Sequence, residues 1–205
     1  MKTKNKALLL SLCAVLLVAA SVLGTMAYLT SQDAVTNTFS VGSVAITMDE
    51  LDVDNSTEGK NDRDKANNYK LLPGHQYTKD PIVHVSSTSE DCYLFVKVVN
   101  EIAEIEDATT VADQMEAKGW IAVEGAENIY VYVGTTEDAS APLAVAANSN
   151  ITVFEFFKIK GSVTNEGLAD YAGKTITVTA YAVQKDGFEG NTASGIWNAA
   201  FGTKG

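Results

Sequence analysis

The 205-residue chain is poor in the residues that brace small exported domains or carry common chemistry. It has two cysteines, Cys13 and Cys92, two histidines, His75 and His84, and three prolines. A framework of several disulfides is therefore excluded, and an exported form that loses Cys13 with its leader can make no internal disulfide and must be held by its own core. The histidines lie nine residues apart and neither sits in an H-E-x-x-H helix, so the spacing is unlike a zinc cluster. There is no G-x-S-x-G elbow, no P-loop and no G-x-G-x-x-G, and no Ser, His and Asp placement suggests a triad. We therefore expect no enzyme activity and no resident metal. Basic charge is also scarce. Fifteen Lys and Arg stand against 26 Asp and Glu, for a formal net charge of -11. Such a surface repels phosphate backbones, so nucleic acid is not an expected partner.

What is present is a globular balance, 46% hydrophobic and 20% charged residues, arranged in a definite order. Lys2, Lys4 and Lys6 precede an uncharged aliphatic run from Ala7 to Leu23. Thr25-Met26-Ala27 then offers small residues at the positions a signal peptidase reads, so residues 1–27 are expected to be a signal peptide cut between Ala27 and Tyr28. The apolar run is at the short edge of a spanning helix and no basic stop-transfer cluster follows, so no stable membrane span is expected after processing. Cleavage makes the chain more acidic still, because Lys2, Lys4 and Lys6 leave and no acid does. It also removes Cys13, and Cys92 remains in an apolar run as a small hydrophobe.

The rest, 28–205, reads as one β-rich domain. "NTFSVGSVAITMDE" (37–50) alternates Phe39 and Val41, slips phase at Gly42-Ser43 as a bulge does, and resumes at Val44, Ile46 and Met48. Further strands are expected at 80–87, 92–100, 120–123, 128–134, 151–161 and 175–184, with the nearly all-apolar 92–100 central. Short helices are expected at 110–119 and 191–202. Strands joined by short turns, without a helix after each one, point to an antiparallel β-sandwich with one or two inserted helices. Residues 49–69 are charged and almost without large apolar side chains, and read as a solvated acidic loop. Asp52, Asp54, Asn55 and Glu58 in that loop are the residue types that ligate calcium, a possible weak cation loop. The spacing is not an EF-hand, since Thr57 stands where the loop needs Gly, and a solvated loop is the plainer reading.

Two stretches carry a family resemblance. Ala27-Tyr28, then Asn37-Thr38-Phe39, Gly42, Val44 and Ile46, resemble the export join of the TasA/camelysin family. Pro73, Gly74, Lys79, Pro81, Val83, Tyr93 and Val96 resemble that family's conserved-looking "PG…K-x-P-x-V…Y" stretch, and 176–188 resembles its late core strand. The resemblance implies a jelly-roll β-sandwich, export through a signal peptidase of SipW type, and a place in the cell surface or biofilm matrix of a Gram-positive bacterium. Partners would be further copies of the chain or homologous matrix subunits. Some members build fibres by passing an N-terminal strand to the next subunit. Residues 28–48 suit that use, with Phe39, Val41, Val44 and Ile46 as the inserted side chains. A monomeric secreted protein binding matrix polysaccharide or protein is the alternative. Camelysin-like peptidase activity is not expected without a zinc motif.

Overall fold

The computed structural model describes residues 4–6, 10–18, 42–55, 63–136 and 139–202. The chain divides into two units, Met1–Ser40 and Val41–Gly205. In the first, residues 4–6 and 10–18 are helical, with Leu10, Leu16 and Leu17 exposed. Among the described residues no helix is long and apolar enough to cross a membrane.

The second unit is mostly β-strand in antiparallel sheets, with a few short helices. One sheet contains β1 (Ile46–Leu51), β2 (Arg63–Asp64), β4 (Ile82–Val85) and β9 (Asn150–Thr152), in the order β2-β1-β4-β9. A second contains β5 (Cys92–Asn100), β6 (Trp120–Ala122), β7 (Ile129–Tyr132) and β11 (Ile176–Gln184), in the order β11-β5-β7-β6, with β8 (Ala144–Val145) also on β5. A two-stranded piece pairs β3 (Gln76–Thr78) with β10 (Phe156–Lys158). The helices are α1 (Val111–Ala117), α2 (Asn165–Ala169) and α3 (Ala193–Phe201).

Strand β5 is buried on both faces from Cys92 to Val96, as its nearly all-apolar sequence leads one to expect, and Lys97 alone is exposed. Leu94, Val96 and Val98 face a cluster shared with Val83 and Val85 of β4, to which Ile46 and Met48 of β1 add. Tyr93 and Phe95 face the opposite way, into a second cluster with Val131, Val183 and Ile196. Helix α3 covers that side, placing Trp197 5.5 Å from the Phe95 ring.

The expected strand 151–161 is two strands in different sheets. Val153 and Phe154 are adjacent and both fully buried, which a straight pleated strand cannot achieve with one face to solvent. The chain bends there, and Val153 N still donates to Pro81 O at 2.9 Å while Lys79 N donates to Glu155 O at 3.1 Å. Pro81, which has no N–H, marks the matching bend on the partner side. Buried Gln114 of α1 braces it, its Nε2 donating to Phe156 O at 2.8 Å and its Oε1 accepting from Glu155 N and Phe156 N. The Trp120 indole adds a bond to Thr152 O at 2.9 Å.

The reading of 49–69 as a solvated loop also needs correction at both ends. Asp49, Glu50 and Leu51 belong to β1, and Arg63 and Asp64 pair with its last two residues. Alternation explains it: Ile46, Met48 and Glu50 share one side of β1, so Glu50 points inward.

Candidate functional site

Among the described residues, β11 pairs only with β5, and the Ile46–Asp49 part of β1 only with β4. Each therefore presents a strand edge. The inward-facing residues along those edges, Val44, Ile46 and Met48 on one side and Ile176, Val178, Ala180 and Ala182 on the other, are half-buried. Those of β5 are fully buried. The apolar interior is thus incompletely covered where the two sheets' edges meet.

At one end of this seam lies a cavity of about 860 Å³. Met48, Ile102, Phe157, Ile176 and Val178 give it an apolar lining, and Glu50, Asn67 and Lys79 form part of its wall. Glu50 is the one deeply placed acid there. Its Oε2 accepts from Lys79 Nζ at 2.6 Å and its Oε1 from Asn67 Nδ2 at 3.0 Å. The carboxylate and ammonium side chains are only 6% and 12% exposed. Asn67 is oriented further by Val53 N, which donates to its Oδ1 at 2.8 Å, and by Leu51 O, which accepts from its Nδ2 at 2.8 Å. Tyr69 stands beside the wall. Burial first, then the negative charge of Glu50, pushes its phenol well above the ordinary range.

A second polar network lies on the outer face of β1. Arg63 donates from Nε to Asp49 Oδ1 and from Nη1 to Asp80 Oδ2 at 3.0 Å, and reaches the carbonyls of both acids. His84 holds Asp49 Oδ1 at 3.1 Å and Asn150 Oδ1 at 2.6 Å. Burial opposes the charged imidazole, but the hydrogen bonds to Asp49 and Asn150 outweigh it and raise the His84 pKa. Asp49 shows the complement: burial works against its charge, yet bonds from Arg63 and His84 bring its pKa down.

The sequence-derived site residues fall as follows. Ala27, Tyr28, Phe39, Val41 and Glu58 lie outside the described residues. Val44 packs on the larger apolar cluster, and Ile46 sits opposite Val85. Asp54 Oδ2 accepts from Asn68 N at 2.7 Å and Asn68 Nδ2 at 3.1 Å, so it ties the two ends of the 49–69 segment together. Asn55 adopts a left-handed backbone, φ 55°. Among the described residues no group of three or more His, Cys, Asp and Glu is placed to hold a metal ion. His75 lies 4.7 Å from the Tyr77 ring, well separated in role from His84.

Sequence reasoning missed the Glu50–Lys79–Asn67 group. The one signal available was the alternation that turns Glu50 inward with Ile46 and Met48. Compared with known families, curated proteins and solved structures, the chain gives no match.

Proposed function

We propose that this chain is an exported structural protein of the cell surface or biofilm matrix, a fibre subunit or fibre accessory built on a jelly-roll-like β-sandwich. Assembly would proceed when the N-terminal segment of one copy enters the seam between β1 and β11 of the next. The observation that carries the reading is the half-covered interior along β1 and β11, with strand edges on both sides. An added strand gains backbone hydrogen bonds at such an edge and buries alternate side chains. The export-like start of the chain, the acidic surface and the TasA/camelysin resemblance at 24–50 and 71–101 support the same reading. A contact in which donor and acceptor surfaces differ propagates from copy to copy, and gives a filament wherever its rotation does not close a ring.

The seating of Val44 and Ile46 in their own domain narrows the donor. Residues 28–41 are the part that can serve another copy without dismantling β1, with Phe39 and Val41 as the inserted side chains. Burying two such side chains contributes on the order of 4 kcal/mol before the cost of ordering. The intramolecular pairing of β1 with β4 favours, as the second reading, a monomeric exported surface protein. Light scattering and electron microscopy of the chain beginning at Tyr28 decide between them. A fibre subunit gives high-mass species that vanish when residues 28–41 are deleted, whereas a monomer stays small with or without them.

A further inference from the structure

One constellation carries chemistry that the assembly reading does not use. Glu50 holds an amine and a carboxamide on the two oxygens of one buried carboxyl group, Lys79 Nζ at 2.6 Å and Asn67 Nδ2 at 3.0 Å. We propose that Lys79 and Asn67 join spontaneously in an intramolecular isopeptide bond, with Glu50 as the proton carrier.

The parts each have a role that ordinary acyl-transfer chemistry demands. The nucleophile must be a neutral amine. Passing one proton along the short Lys79–Glu50 contact leaves that amine beside a carboxylic acid. The acyl group must be polarised, and its oxygen needs a donor as it becomes an oxyanion. Val53 N–H already points at Asn67 Oδ1 at 2.8 Å, the position an oxyanion donor takes. Both reacting groups must be held together at low cost in entropy. The shared carboxyl does this, and Leu51 O fixes the orientation of the amide from its other side. The leaving group must escape, and Glu50, Asn67 and Lys79 all line the cavity.

The step balances without oxidant, metal or cofactor. The Lys79 Nζ lone pair attacks Asn67 Cγ, and the carbonyl electron pair moves onto Oδ1 beside Val53 N–H. As the carbonyl re-forms, the Cγ–Nδ2 bond breaks. Glu50 relays two protons in turn from the Lys79 nitrogen to Nδ2: the first lets Nδ2 leave as ammonia, and the second, lost from the new amide nitrogen, converts it to ammonium. A lysine ammonium and an asparagine amide become one secondary amide and one ammonium ion, and Glu50 ends as it began. The product ties the chain at Asn67, beside the end of β1, to Lys79 at the entrance to β4. In a chain whose only cysteines are Cys13 and Cys92, this would be a covalent brace of a kind that reducing conditions do not open.

The test is a peptide map of the full purified chain by tandem mass spectrometry. The bond predicts a branched tryptic peptide joining residues 66–70 to residues 71–97, uncut after Lys79 and lighter than its two parts, joined without reaction, by one ammonia. Chains carrying E50Q or K79R lack it, while circular dichroism shows that they remain folded. The wild-type map needs no variant to fold. Linear 66–70 and 71–79 peptides at full yield from folded chain, after prolonged incubation at neutral pH, would overturn the proposal. A branched peptide that persists in E50Q would overturn the role given to Glu50.

Discussion

His84 Nε2 lies 3.1 Å from Asp49 Oδ1, so the outer faces of β4 and β1 are joined by a contact that gains strength when the imidazole is protonated. The groups facing His84 are Asp49, Asn150 and, through Asp49, the guanidinium of Arg63. The first pair attract the charged ring and the last repels it.

A pH dependence follows. The folded pKa of His84 is raised above 6.5. Its contribution to stability is therefore complete below that value and is lost as pH rises through the folded pKa. The ring is partly solvated, so the effect is about 1 kcal/mol or less. Urea unfolding between about pH 5.5 and pH 8 should show a midpoint that falls with pH in the wild type and falls less in His84→Asn. Asp49 works in the opposite window. Its pKa is lowered, so its contribution is present above 3.8 and is lost as pH falls through the folded value.

Arg63 is the hub of the same face. Replacing it with methionine keeps much of the stem but removes donors to both acids and to two carbonyls. The expected loss is about 1–3 kcal/mol, since the bonds are charge-assisted but partly exposed. Denaturant unfolding at neutral pH measures it. Hydrogen exchange should also rise at the amides of β1 and β2 before it rises at β5.

Glu106 is an acid in the wrong medium. It is 3% exposed, and its Oε1 has no hydrogen-bond partner. Burial drives its pKa up, against bonds from Val111 N and Asn100. Stability should therefore decline as pH rises from the ordinary 4.5 through the folded pKa. Glu106→Gln cannot ionise, so the variant should lose less stability than the wild type between about pH 4 and pH 8. Paired urea curves at the two pH values provide the check.

Gly119 ends the turn between α1 and β6 with φ +84°. A Cβ added there would lie 2.3 Å from Gly134 O. Gly119→Ala therefore combines left-handed strain with a backbone collision, and should cost more than ~2 kcal/mol. Thermal unfolding reports it.

Much of the fold was legible in the sequence. The central strand 92–100 and the late strand at 176–184 declared themselves through their density of β-branched and aromatic residues, and α1 through its stop at Gly119; the capping box that Thr110 and Asp113 form at its start is seen only in the structure. The bend at Val153–Glu155 was not legible, because "ITVFEFF" alternates well enough for one strand. Only the need to bury Val153 and Phe154 together breaks it. Helix α2 is five residues long and contains Gly167, too short and too weak a pattern to stand out. At the site, the outward Asp49 and inward Glu50 differ only by strand phase. Their partners Arg63, Asn67 and Lys79 come from chain segments whose positions depend on the β1–β4 register, a non-local fact.

The most direct measurement of the assembly reading uses two chains in a Cys13→Ser background, each with one engineered cysteine beside the native Cys92, Phe39→Cys in one and Val178→Cys in the other. Cys92 is buried in the native fold, so oxidation reports the engineered pair. The account predicts a disulfide between the two chains when they are mixed and oxidised, seen as a heterodimer on a non-reducing gel and mapped to residues 39 and 178. If the mixed chains stay uncrosslinked while one chain carrying both substitutions closes on itself, residue 39 meets the seam of its own domain. The account would then be contradicted.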